Sequence, residues 1–404
     1  MKRRILFVCR AGSSEGARST QALASLDNVE VVTADASDFD SLMRVADASF
    51  ERIVTAQETL LEIVAQANEA LGLPGLSVET VRNALDKSRL KATLKRAGIN
   101  TPAYEVVANL EEAQRFAREI GFPMVLKSLS GSGALATFVI HSDDDLQRVT
   151  GLGAFLAEQY ITGQELCVDT ITIDGEPRFH SVCCYQPSIL EAVEDTQILW
   201  SCVMPRDMTP YENFIEQGLK AVKALLVRNA MTHMEGFIDT SGRPWFTDAT
   251  LRPAGARIAP MLAYAYDIDP YRAWARVAVD EAFDGPWERK YAVGTIFLRG
   301  PGSGSVTQLS GVERVEHEFG DMIAEARWPR VGTRKSATYT GDGYLTIRHP
   351  DTAVVQQALR SIAQLVKLTY SSDEPLATET WGQRLEKFNE LNRPAWDVSS
   401  EFNL

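Results

Sequence analysis

The chain has 404 residues, of which 45% are hydrophobic and 24% charged, and 54 acidic side chains against 41 basic ones give a net charge of −13. That length exceeds one ordinary hydrophobic core and predicts roughly two to four domains. The acidic balance argues against a nucleic-acid backbone or an anionic membrane surface as partner, so an anionic small ligand would need a local cluster of Lys, Arg and metal.

The N-terminus, MKRRILFVCRAG, places basic residues before an apolar run, as a signal peptide would. The run is only about five residues long before Arg10, which suits a first β-strand better. No apolar stretch approaches membrane-spanning length. The five cysteines (Cys9, Cys167, Cys183, Cys184, Cys202) are odd in number and lack zinc spacing. They read as reduced thiols, and a cytoplasmic location is expected.

RRILFVC leads into the loop RAGSSEG and a helix from about Ala17. VEVVTAD and Arg52–Ala56 read as further strands, and ETLLEIVAQANEALGLPG as a helix with Leu60, Ile63, Val64 and Ala67 at helical spacing. This alternation predicts a parallel, doubly wound sheet. The 12–16 loop could hold an anion at the helix start or be an ordinary βα turn. DKSRLKATLKRAG is a basic helix ending at Gly98, followed by NTPAY as an extended linker. Asn109 and Glu112 form a capping-box pattern before a helix that buries Ala113, Phe116, Ala117 and Ile120.

FPMVLKSLSGSGALATFVI is strand, Ser-Gly-Ser-Gly loop, strand. FLAEQYI is another strand, and ELCVDTITIDGEPRFHSVCCY a hairpin turning at Asp174-Gly175. Ile215, Leu219, Val222 and Leu226 mark a helix. Beyond Pro286, YAVGTIFLRG, SGSVTQL and GYLTIRH predict antiparallel strands, and a helix is expected from near Thr352 to Thr369, then a polar tail. No repeat of fixed period is visible, and the glycines of the segment 294–311, GTIFLRGPGSGSVTQLSG, read as turn residues.

Lys127 closes a strand immediately before SLSGSG. Glycines let a loop approach phosphates, and a lysine beside it can neutralise them as a point charge. A surface strand end with a flexible hairpin has the same pattern. Lys87, opening the basic helix, would be a second cation. In AEQYI, Glu158 and Tyr160 share one strand face and Gln159 and Ile161 the other. Such a strand can offer backbone groups to an adenine edge, while Glu165 can accept from ribose hydroxyls. A buried strand with an exposed Glu is the plainer alternative.

HMEGFIDTSGRPWFTDATLRPAG holds two strand-like runs around Ser241-Gly242, a dipeptide suited to a tight turn. With those two residues as the turn, Glu235 faces Asp248 and His233 faces Thr250. Asp248, Thr250 and Arg252 then share a face. Opposed carboxylates repel unless a cation or proton lies between them.

The series DKSRLKATLKRAGINTP, GFPMVLKSLSGSG, LAEQYITGQE, HMEGFIDTSG and FTDATLRPAG resembles the ATP-grasp superfamily over roughly residues 1–290. Within it the chain looks like carboxylate–amine ligases of the L-amino-acid ligase type. The resemblance implies an α/β fold of ATP-grasp architecture: an N-terminal doubly wound α/β domain (1–85), a two-subdomain α+β ATP-binding core (86–155 with the glycine-rich lid, 156–290 with the metal site) and a small C-terminal α+β domain (291–404). It implies ATP and Mg²⁺, or Mn²⁺ in its place. Lys87 and Lys127 would contact the phosphates, and Ser130, Gly131, Ser132 and Gly133 would form the lid. Glu158, Gln159, Tyr160 and Ile161 would line the adenine pocket, and Glu165 would bind ribose. Glu235, Asp248 and Thr250 would hold metal, and Arg252 would steady the transferred phosphate and the reacting carboxylate.

The family usually ends its second metal strand Glu-x-Asn-x-Arg, where this chain has Asp248-Ala249-Thr250-Leu251-Arg252. Both changes keep oxygen donors suited to Mg²⁺ but put a second ion in doubt. Arg257 is a candidate for holding a substrate carboxylate, or else a solvated loop residue. His233, His180 and Cys183-Cys184 read as structural. The expected reaction joins a small carboxylate to an amine through an acylphosphate. Carboxylase or carbamoyl-phosphate chemistry is an alternative, against which Pro253-Ala254-Gly255-Ala256-Arg257 argues. A catalytically weakened ATP-binding protein is another. The expected partners are the small substrates, and dimers are common in the family.

Overall fold

The computed structural model describes residues 2–10, 12–129, 137–149, 154–194, 200–336, 338 and 340–374. Strands β1 (Arg3–Val8), β2 (Val29–Ala34) and β3 (Arg52–Val54) form a parallel sheet in the order β2-β1-β3. Parallel neighbours need a crossover, which the helix Ser14–Ala24 supplies between the first two. Ile5, Leu6, Phe7 and Val8 are all buried, the continuous apolar run of a strand covered on both faces.

A second sheet, order β4-β7-β5-β6, is antiparallel: β4 (Tyr104–Val107), β5 (Met124–Lys127), β6 (Thr137–Ile140) and β7 (Phe155–Gln159). The stretch NTPAY is thus only in part a linker, because Tyr104 pairs with Glu158 and opens β4. The largest sheet contains β8 (Gly163–Ile173), β9 (Glu176–Gln186), β10 (Trp200–Met204), β11 (Ala230–Asp239), β12 (Pro244–Thr250) and β13 (Ala292–Leu298). Omitting β14 (Ser303–Ser310), it continues into β15 (Ile323–Arg327) and β16 (Gly343–His349) in the order β12-β11-β8-β9-β10-β13-β16-β15. The sheet therefore runs on through position 290 into the C-terminal segment.

Two helix ends differ from the sequence reading. The helix Glu212–Ala224 stops before Leu226, which has φ +58° and is 63% exposed. The C-terminal helix spans Thr352–Leu365, and Lys367–Ser372 is strand β17, paired with β14. Its residues alternate, with Leu368 and Tyr370 buried and Lys367, Thr369 and Ser371 exposed. That period of two belongs to a half-buried strand.

One apolar cluster joins the N-terminal sheet to the large one, with Phe7 edge-on to Trp274 at 6.0 Å between centroids. Another packs Leu90 and Leu94 of the basic helix with Val168, Phe214 and Phe246 beneath β8, β11 and β12. These clusters fix the basic helix and the N-terminal sheet against the hairpin that carries the acids.

Candidate active site

Asp86 caps the basic helix Lys87–Arg96, its carboxylate accepting from the N–H groups of Ser88 (2.9 Å) and Arg89 (3.1 Å). The cap fixes Lys87 at the first helical position, where its Nζ donates to Asp248 Oδ1 at 2.5 Å. Lys127, at the end of β5, donates to Asp248 Oδ2 at 2.9 Å and lies 2.9 Å from Glu158 Oε2. One helical turn after Lys87, Lys91 is fully buried. It pairs with Glu158 and donates to Thr101 Oγ1 at 3.1 Å. Three lysines and two carboxylates thus form one alternating network. Glu158 turns its carboxylate to these lysines.

Electrostatics follow the packing. Burial pushes the Lys91 ammonium down to about 8, with Glu158 opposing the shift. Burial also opposes charge on Lys127, but Asp248 and Glu158 outweigh it and raise its pKa. Asp248 is likewise held well below the usual carboxylate range, because Lys127 and Lys87 overcome its burial. Removing one member should leave buried charge uncompensated. Glu158→Ala is expected to destabilise the fold by about 3–5 kcal/mol in urea denaturation, and Lys91→Met together with Glu158→Gln to lose less. Equal losses in the two proteins would contradict this network.

The acid hairpin has the expected register at its functional end, with Glu235 opposite Asp248 and His233 opposite Thr250. It reaches that register differently. Ile238 pairs with Pro244 and the Asp239 N–H donates to Arg243 O at 3.0 Å, so the turn holds one residue more than Ser241-Gly242. Asp239 stabilises this wider turn by accepting from the N–H and Oγ of Ser241 and the N–H of Arg243. A bulge between Glu235 and Gly236 restores the count. A Cβ on Gly236 would lie 2.1 Å from Trp245 O, so the bulge needs glycine.

Glu235 Oε1 lies 3.2 Å from His233 Nε2, and His233 Nδ1 lies 2.9 Å from Asp169 Oδ1. Burial disfavours a charged His233, yet Cys167 and Asp169 outweigh it and raise the imidazole pKa well above its ordinary value. Thr250 Oγ1 is buried and has no hydrogen-bond partner. Opposed carboxylates with an unsatisfied hydroxyl alongside are the hard-oxygen donor set that Mg²⁺ takes. Glu235, Asp248 and Thr250 therefore fit such an ion.

Glu165 accepts from the Ile189 N–H at 2.6 Å. Burial, reinforced by Glu235, pushes its carboxyl up to about 8 from an ordinary value of 4.5. Between those values the folded protein holds a proton that the unfolded chain releases. The contribution to stability is full below about 4.5 and is lost as pH rises through about 8. Glu165→Gln should remove this loss, so its urea midpoint should gain progressively on the parent from about pH 4.5 to about pH 8 and hold that gain above it. A constant difference between the two proteins would refute the shift.

Arg252, just beyond β12, donates to Pro253 O at 2.7 Å and to Glu58 Oε2 at 2.9 Å. Glu58 belongs to a turn after β3, so an N-terminal carboxylate holds this guanidinium. Lys87, Lys127, Glu158, Gln159, Tyr160, Ile161, Glu165, Glu235, Asp248, Thr250 and Arg252 all line one cavity of about 210 Å³ between the sheets. Arg257 does not line it. With φ +67° it opens the helix Ile258–Tyr266, pairs with Glu325 and stacks 3.9 Å from the Tyr344 ring centroid. Ser130, Gly131, Ser132 and Gly133 lie outside the described residues.

Sequence reasoning missed Lys91 and Glu58. Lys91 has the i, i+4 spacing from Lys87 that places both on one helix face, a usable signal. Glu58 lies 194 residues from Arg252, and no local pattern announces it.

Residues 84–231 match the ATP-grasp domain. An L-arginine-specific L-amino acid ligase of Bacillus subtilis is 26% identical over 241 residues, covering 57% of this chain and 58% of that protein. The chain thus spans little more than half the length of that relative. A D-alanine–D-alanine ligase of Nitrosospira multiformis is 26% identical over 288 residues, covering 63% of this chain and 90% of that one. The crystal structure of an L-amino acid ligase from Bacillus licheniformis superposes with a TM-score of 0.71 at 18% identity, covering 92% of this chain and 99% of that chain. Among the described residues, no helix is long and apolar enough to cross a membrane.

Proposed function

The chain carries an ATP-grasp domain and has the ATP-grasp fold, and from that premise we propose that it is an ADP-forming carboxylate–amine ligase acting on small molecules. The observation that carries this reading is the convergence of Lys87, Lys127, Glu235, Asp248 and Arg252 on one cavity. Phosphoryl transfer asks the protein mainly for position and charge neutralisation, which is what this set supplies.

In the proposed reaction a substrate carboxylate oxygen attacks the γ-phosphorus of ATP, and ADP leaves. The amine nitrogen then attacks the carbonyl carbon of the acylphosphate. Phosphate departs with the carboxylate oxygen, and the nitrogen loses a proton. Lys87 and Lys127 neutralise phosphate oxygens, and Asp248 positions both ammonium groups at the cavity wall by accepting from each. Arg252, oriented by Glu58, binds the transferring phosphoryl group and the reacting carboxylate. Glu165 and the strand end Glu158–Ile161 are assigned to ribose and adenine. Magnesium held by Glu235, Asp248 and Thr250 would supply further charge neutralisation.

The domain limits 1–85, 86–155, 156–290 and 291–404 belong to this proposal, and the separate N-terminal and β4–β7 sheets support the first two. The amino acid ligases among the relatives favour an amino acid as one substrate. A phosphate-release screen with Mg·ATP against amino acids and small carboxylates, singly and in pairs, tests the reading. Release that requires two substrates is expected. Release with bicarbonate would indicate carboxylation, and ATP binding without release an inactive protein.

A further inference from the structure

The face of the large sheet that carries Glu235 holds a second set of donors with a different chemistry. Cys167 and Asp169 are two residues apart on β8, so their side chains leave the same face. Across the ladder Asp169 pairs with His233 of β11, and Cys167 with Glu235. Asp169 Oδ1 lies 2.9 Å from His233 Nδ1, and the Cys167 thiol donates to Asp169 Oδ2 at 3.8 Å. All three residues are buried, and one sulfur, one oxygen and one nitrogen of theirs lie within 4.8 Å of one another. Atoms that close can share one ion at about 2.0–2.3 Å, the range of zinc ligands. The other side of the imidazole has the arrangement that metal-bound histidines show. With Nδ1 turned to Asp169, Nε2 is left 3.2 Å from Glu235 Oε1, and a ligating histidine almost always gives its second N–H to a carboxylate, a carbonyl or water. His233 also lines the cavity of the proposed ATP site, which gives an ion a way in. Sulfur and nitrogen donors select a zinc-class ion over Mg²⁺, which takes oxygens.

We propose that Cys167 Sγ, Asp169 and His233 Nδ1 bind one divalent ion of the zinc class, with water in the fourth position. Binding releases the protons of the thiol and of Nδ1 to solvent, and Nε2 keeps its own for Glu235. The ion holds Glu235 in place through His233, beside the donors assigned to magnesium. The site itself does not depend on the ligase reading, because its ligands include none of Glu235, Asp248 and Thr250.

Titration of the full chain with Co²⁺, after a chelator has stripped it of metal and in excess Mg²⁺ without nucleotide, tests the inference by absorption spectroscopy. One equivalent of Co²⁺ should bring up a thiolate-to-cobalt charge-transfer band, and Zn²⁺ should remove it. Cys167→Ala should abolish the band, and His233→Gln should weaken Co²⁺ binding at least tenfold. Circular dichroism verifies folding of both, and either variant serves if the other fails to fold. Cys9→Ala, which removes the one cysteine that is not buried, should keep the band. Absence of the band, its persistence in folded Cys167→Ala, its loss with Cys9, or unchanged affinity in folded His233→Gln would each overturn the site.

Discussion

An Arg252→Gln protein is expected to release phosphate from ATP about 10²–10³-fold more slowly than the parent at saturating substrates, while nucleotide affinity stays near the parent value. Glutamine keeps a hydrogen-bond donor but removes the charge and the planar fork that can hold two oxygens at once. The loss should fall on kcat, because the guanidinium is assigned to charge that grows during transfer. Glu58→Gln should give a smaller fall, since it loosens the 2.9 Å contact that orients Arg252 without removing the cation. Single-turnover rates and a nucleotide titration separate the effects. An Arg252→Gln protein with the parent kcat would remove Arg252 from the chemistry.

The second large effect is expected at Glu235. Glu235→Ala should lower turnover by at least about 10²-fold and raise the Mg²⁺ concentration needed for half-maximal rate. Direct Mn²⁺ binding, measured by electron paramagnetic resonance in the presence of nucleotide, should weaken in parallel. Asp248→Asn should behave differently. Asp248 carries Lys87 and Lys127 as well as its assigned metal contact, so its loss should also change nucleotide affinity. Unaltered Mn²⁺ affinity in Glu235→Ala would move the ion elsewhere.

Much of this site was legible because it is built from short-range patterns. Lys127 before a glycine loop, Lys87 at the opening of the basic helix, and the alternation in the acid hairpin each depend on a few neighbouring residues. The pairing of Glu235 with Asp248 came out as expected, though two local features compensate to produce it. Asp239 widens the turn by one residue, and the bulge at Gly236 takes that residue back. Such cancelling shifts leave no mark in a simple alternation count.

What escaped depends on contacts distant in sequence. Glu58 meets Arg252 across 194 residues, and the Arg257–Glu325 pair links the strand-end loop to the C-terminal segment. Arg257 shows the limit of adjacency: five residues past Arg252, its left-handed backbone sends the guanidinium to Glu325 and the Tyr344 ring. Strand β17 was lost for another reason. The apolar positions of the preceding helix run into Leu368 without a glycine or proline stop, so a helical period can be extended over a segment whose own alternation is two.

The most direct test of the ligase reading follows one oxygen atom. With a carboxylate substrate labelled with ¹⁸O at both oxygens, an amine and Mg·ATP, mass spectrometry of the released phosphate should find one ¹⁸O per phosphate, matched by an amide of the expected mass. Phosphate free of label, released at the same rate with or without the amine, would contradict an acylphosphate route and the function proposed for this chain.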